Sequence, residues 1–189
     1  MRAKRTRPLA VAAAVAAVAL GACSSAGPSG QAAATQARNQ VIPAARALYL
    51  KFFGARAASV PAMQGYYLPC GKTGTRRYYG ADISLYPVGH QVSLGAYRQQ
   101  LAGLARAGGW KLTPASTASP LAGHGVRYHM TKGSLTGFLY VFEGSSPKVQ
   151  GSTTIRSACF AAGSAAAKLP SRPQSFPLPH HTRSSPASG

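Results

Sequence analysis

Acid–base chemistry needs carboxylates or histidines that can be brought together, and this chain offers few of either. Asp82 and Glu143 are its only acidic residues, 61 positions apart. Asp82 is expected on the polar face of its strand and Glu143 at a strand end, each as a surface partner for an arginine. His124 and His129 are five apart, an odd separation that puts them on opposite faces of a strand. His90 stands alone, and His180-His181 lie near the C-terminus without a defined cage. Neither a Gly-x-Ser-x-Gly elbow nor a glycine loop opening a helix occurs. We therefore expect no catalytic residues, no metal site and no cofactor.

The first residues carry a different kind of chemistry. Arg2, Lys4, Arg5 and Arg7 precede an apolar run of 12 residues, 9–20. A run of this length is shorter than the roughly 20 residues a spanning helix needs. A basic start followed by a short apolar stretch is the pattern of a secretory signal peptide. Leu20-Gly21-Ala22-Cys23 then resembles the lipobox of bacterial lipoproteins. That resemblance implies a thioether-linked diacylglycerol on Cys23, accompanying palmitate, and cleavage before it. An ordinary signal peptide cleaved nearby is the alternative. The Ala- and Arg-rich, Lys-poor composition is similar to that of actinobacterial lipoproteins. The implied location is the cell membrane, lipid-anchored on the extracytoplasmic face.

Export has a consequence for the other two cysteines. Cys70 and Cys159 form an even pair in an oxidising compartment, which predicts a disulfide. A redox or metal role is the rival, but the chain has no Cys-x-x-Cys and neither cysteine has a histidine at ligand spacing.

Charge narrows the partners. The chain carries 21 Lys and Arg against two acids. Removing residues 1–22 takes four cations and no acid, leaving a formal charge of +15. Such an excess attracts polyanions. The membrane that would hold the anchor, anionic lipid and wall polymer are the expected partners. Nucleic acid is not expected, because no arginine-rich tract or nucleic-acid motif is present. No protein partner is specified. The competing reading is a set of cations scattered over a solvated surface.

The elements that would position these residues follow from periodicity. Residues 1–22 read as signal peptide, 23–40 as flexible tether, 41–167 as one α+β domain, and 168–189 as a disordered Pro/Ser-rich tail. Pro43 suits the first turn of a helix over 44–58. Residues 61–69 read as turn-rich. Alternation predicts a strand over 76–86, with Tyr79, Ala81, Ile83 and Leu85 on one face and Tyr78, Asp82, Ser84 and Tyr86 on the other. Ser93 caps a helix over 94–107, whose buried stripe is Tyr97, Leu101, Leu104 and Ala105. Strands are expected at 110–113, 125–131, 135–143 and 149–160. The strand at 135–143 is apolar on both faces, which places it near the middle of the sheet. The predicted fold is an antiparallel sheet of four to five strands packed against one or two helices.

The aromatic residues of the strands are the remaining candidate site. Tyr78, Tyr86, Phe138, Tyr140 and Phe142 would line a groove rimmed by Arg76, Arg77 and Arg127. Arg76, Arg77, Tyr78, Tyr86, Arg127 and Tyr140 are the candidate ligand-binding residues, with core and edge packing as the competing role. The expected function is binding or scaffolding in the cell envelope by a non-enzymatic, lipid-anchored domain. The alternatives are an accessory or degenerate envelope hydrolase, and a sensor or inhibitor presenting its sheet to a partner protein.

Overall fold

A computed structural model describes residues 29–55, 58–59, 63–72, 74–88, 92–115, 125–144 and 149–177. Cys23, His90, His124 and His180-His181 lie outside the described residues, as do the signal peptide and residues 23–28 of the expected tether. No described helix is long and apolar enough to cross a membrane.

Helix α1 spans Gly30–Gly54. It begins well before the predicted start and takes in residues 30–40 of the expected tether. Ser29 supplies the N-cap, accepting from the Ala32 amide at 3.4 Å. Pro43 therefore lies inside the helix rather than at its first turn. A proline there removes one amide donor. Pro43 and Asn39, which loses that bond, are both exposed, so water can serve the freed carbonyl. The buried stripe runs unbroken past it: Ala34, Ala37, Val41, Ala45, Leu48 and Phe52 recur at steps of three and four.

The two-residue strand β1, Ala58–Ser59, leads to β2, Met63–Pro69. This corrects the turn-rich reading of 61–69. Met63, Gly65 and Tyr67 are buried, while Gln64 is exposed and Tyr66 and Leu68 are part-buried. Strand β3, Arg76–Pro87, has the predicted alternation, with Tyr79, Ala81, Ile83 and Leu85 buried. Helix α2, Leu94–Ala107, matches its prediction at both ends. Ser93 Oγ accepts from the Ala96 amide at 3.2 Å. Tyr97, Leu101 and Ala105 are fully buried, and Leu104 packs at the margin of the core.

Trp110 is buried ahead of β4, Lys111–Pro114. Strands β5, Gly125–Lys132, and β6, Leu135–Glu143, form a hairpin. Its turn places Gly133 at φ +57°, a left-handed conformation that glycine adopts without strain. The expected last strand is two: β7, Val149–Arg156, and β8, Phe160–Ala161. A short 3-10 helix, Gly163–Ala167, precedes β9, Gln174–Phe176. Part of the expected tail is thus a strand, and Leu169 within it is buried.

The class is the predicted α+β, but the sheet is larger than four to five strands. Its order is β4-β5-β6-β7-β3-β2-β9, with β1 and β8 pairing to the two ends of β3. All pairings among the described strands are antiparallel. The additional strands are β1, β2, β8 and β9. Strand β6 lies inside the sheet, between β5 and β7.

Both helices pack on one face. Tyr67 Oη donates to the Ala34 carbonyl of α1 at 3.0 Å, and Leu101 of α2 closes over Gly151 of β7. The core lies between this helical layer and Ala81, Ile83, Leu85, Leu139, Val141 and Ile155. At the start of β3, the Cys70 and Cys159 sulfurs meet at disulfide distance, with Cα atoms 6.3 Å apart. Ser157 bridges the gap between β7 and β8: its Oγ accepts from the Tyr79 amide at 3.0 Å, and its amide donates to the Tyr79 carbonyl at 2.9 Å.

Candidate functional site

Side chains alternate across a strand, so the register fixes what shares the face opposite the helices. One row crosses seven strands: Thr113, His129, Phe138, Thr154, Asp82, Gln64 and Ser175. A neighbouring row holds Arg127, Tyr140, Ser152 and Ser84. The row on the other side holds Lys111, Thr131, Thr136, Arg156, Gly80 and Tyr66. No described helix packs on these rows.

Two arginines approach Phe138 from the rows on either side of it. The Arg127 guanidinium carbon lies 3.6 Å from the Phe138 ring centroid. That of Arg156 lies 5.5 Å from Phe138 and 5.0 Å from the Tyr78 ring. The two guanidinium carbons are consequently within about 9 Å of each other. A cation over a ring face gains about 0.5 to 2 kcal/mol, depending on how far water is excluded. His129 meets Phe138 edge-on at 5.5 Å, and Tyr140 stacks on Phe142 at 4.8 Å.

Asp82 is the one carboxylate in these rows. It accepts a hydrogen bond from Tyr66 Oη at 2.6 Å rather than pairing with an arginine. Gly80 allows that approach, since a Cβ there would meet the Tyr66 ring at 2.9 Å. Burial, then the hydrogen bond to Asp82, pushes the Tyr66 phenol up, so it stays protonated as donor. The positive charge of Arg156 acts on Tyr66 in the opposite sense. Asp82 Oδ1 and Arg156 Nε are both buried and lack partners among the described residues. Arg127 and Arg156 reach no carboxylate among those residues.

The sequence candidates fall into two groups. Tyr78, Arg127 and Tyr140 lie on the open face, and Tyr86 continues it beyond the last β7 pairing. Arg76 and Arg77 sit at the disulfide end. Arg76 donates to the Cys159 carbonyl at 3.3 Å, and Arg77 serves the carbonyls of Gly74, Arg76 and Ala166. Arg77 has the parity of the helix side. Neither joins the other four. Arg156, Tyr66, His129 and Thr154 complete the face and were not among the candidates. Arg156 ends a Thr/Ser-rich strand and reads locally as an ordinary surface cation.

The remaining chemistry-bearing groups do not converge. Glu143 is exposed at the end of β6, five positions beyond the Phe138 row and on the opposite parity from Asp82. That is about 17 Å along the strand direction. No group of three or more His, Cys, Asp or Glu able to hold a metal occurs among the described residues.

Fold and face together define a two-layer α+β protein with an aromatic and cationic sheet surface. The chain matches no known family, no curated protein and no solved structure.

Proposed function

We propose that this chain is a lipid-anchored, extracytoplasmic binding protein of the cell envelope, and that it engages an anionic partner without catalysing a reaction on it. The observation carrying this reading is the convergence of Arg127 and Arg156 on Phe138 in a face that no described helix covers. Their positive charges are oriented but lack a carboxylate counterion among the described residues. The separation of Asp82 from Glu143 supports a binding role over a two-carboxylate hydrolase. The lipobox-like segment ending at Cys23 supports the anchor and the address.

Two measurements test this. Replacing Cys23 by Ala and fractionating cells should release the protein from the membrane. Equal retention of parent and variant overturns the anchor. A photo-crosslinking residue at Thr154, in the middle of the open face, should capture a partner in intact cells. The same residue at Gln99 on α2 should not. Capture from Gln99 alone moves the binding surface to the helical side.

A further inference from the structure

We infer that the open face recognises a phosphate ester, carried on a soluble polyol- or sugar-phosphate chain, with Arg127 and Arg156 as the clamp. This deepens the binding reading and rests on it. Several observations choose among anions and their carriers.

The first is the number and direction of donors. A planar carboxylate is filled by one guanidinium fork. Arg127 and Arg156 come to Phe138 from opposite rows, so two guanidinium groups gather at one ring. A tetrahedral phosphate presents oxygens in several directions and can accept from both. Bidentate N···O bonds of about 2.8 Å put each guanidinium carbon roughly 4 Å from phosphorus. One phosphate therefore bridges carbons up to about 8 Å apart, within the limit the ring distances set. At slightly wider spacing, adjacent phosphates of a polymer serve the two arginines.

The second is the use of the ring faces. Arg127 covers Phe138, Arg156 leans over Tyr78, and Tyr140 and Phe142 stack on each other with planes 18° apart. Binding of single-stranded nucleic acid relies on open rings that accept bases. Each of these rings already has one face engaged, which favours a chain without bases.

The third separates a soluble carrier from a lipid. Among the described residues, the exposed large apolar ones are Leu50, Phe53 and Val88, on α1 and just past the end of β3. None lies in the rows around Phe138, so those rows offer no exposed aliphatic side chain for entering acyl chains among the described residues. Asp82 is the one opposing charge. Its Oδ2 is held by Tyr66, and its Oδ1 has no partner among the described residues. Its carboxylate weakens the pull on an anion.

The test is titration of the full lipid-bearing chain in neutral detergent. The probes are a glycerol-phosphate oligomer, a polyglutamate of equal charge and a thymidine oligonucleotide. The same chain reconstituted on neutral vesicles is compared with one on phosphatidylglycerol vesicles. We expect the glycerol-phosphate oligomer to bind tightest. Arg127→Gln and Arg156→Gln should each weaken it about tenfold or more, and Arg106→Gln on α2 should leave it near the parent. Asp82→Asn should tighten it severalfold. Phe138→Leu, which keeps the charges but removes the ring, should weaken it severalfold. Equal weakening by Arg106→Gln overturns the clamp. Equal binding of polyglutamate overturns phosphate selectivity while leaving an anion-binding face. Tighter binding of the oligonucleotide overturns the carrier, as does occupation of the face by phosphatidylglycerol. If no probe binds but Thr154 still captures a partner in cells, this inference fails and the broader binding reading survives.

Discussion

Removing the Cys70–Cys159 crosslink should cost this protein about 4 to 5 kcal/mol. The two cysteines are 89 residues apart in sequence. In the chain-entropy model, closing a loop of this order lowers the entropy of the unfolded ensemble by an amount worth about 4 to 5 kcal/mol at room temperature. The folded state should contribute little to the change. Cys159 is exposed and Cys70 part-buried, so a serine at either position leaves no sealed cavity. The flanking backbone is also held independently. The Cys70 amide donates to the Arg76 carbonyl at 3.1 Å, and Arg76 reaches the Cys159 carbonyl at 3.3 Å. The cysteines thus remain neighbours in the fold without their bond, and its effect falls on the unfolded chain. The measurement is urea unfolding of a Cys70→Ser/Cys159→Ser double variant beside the parent. Reduction of the parent should reproduce the loss. A typical domain has about 5 to 15 kcal/mol in total, so the shift in midpoint will be large. A loss below about 1 kcal/mol in both comparisons refutes the entropic argument.

Three further outcomes follow from the core. Tyr97 is fully buried and its hydroxyl has no partner among the described residues, so Tyr97→Phe should stabilise the protein by about 1 to 2 kcal/mol; a lower melting temperature would show that the hydroxyl is bonded after all. Ser157→Ala removes the oxygen that accepts from the buried Tyr79 amide and should cost about 1 to 3 kcal/mol by denaturant unfolding, whereas no change would mean that another acceptor takes its place. Burial pushes Tyr79 from its ordinary 10.0 up to about 12. Because this pKa is raised in the fold, its contribution is complete below pH 10 and is lost as pH rises toward 12, a change of about 3 kcal/mol. Alkaline unfolding followed by phenolate absorbance should therefore set in at higher pH for Tyr79→Phe, and an unchanged midpoint would remove Tyr79 from the account.

Much of the fold was legible because local signals agreed. In α2, the Ser93 cap and the Tyr97–Leu101–Ala105 stripe both point to one helix. In β3, alternation assigned the faces as the structure has them. The start of α1 was hidden by Pro43 and by a stripe of Ala34, Ala37 and Val41, since alanine marks a buried face only weakly. Strand β2 was hidden by Pro61 and Pro69 around a short segment containing Gly65. Strand β9 has three residues, too few for a period, and is held by pairing with β2. The candidate site was legible only as far as parity reaches. Parity placed Tyr78, Arg127 and Tyr140 together. It is blind to register, and register alone brings Arg156 of β7 beside Phe138 of β6 and Tyr78 of β3.

Net charge and the arginine pair should also be separable by salt. The excess of cations acts at long range and raises encounter rates with any polyanion. That attraction fades over a Debye length of about 8 Å at physiological ionic strength. A guanidinium fixed over a ring and bonded to phosphate oxygens acts at contact, where screening is weaker. Raising salt should therefore remove the small effect of scattered cations such as Arg106 first. The difference between Arg127→Gln and the parent should persist longer. A surface that binds only through net charge would lose both together, and that contrast decides between a solvated basic surface and a site.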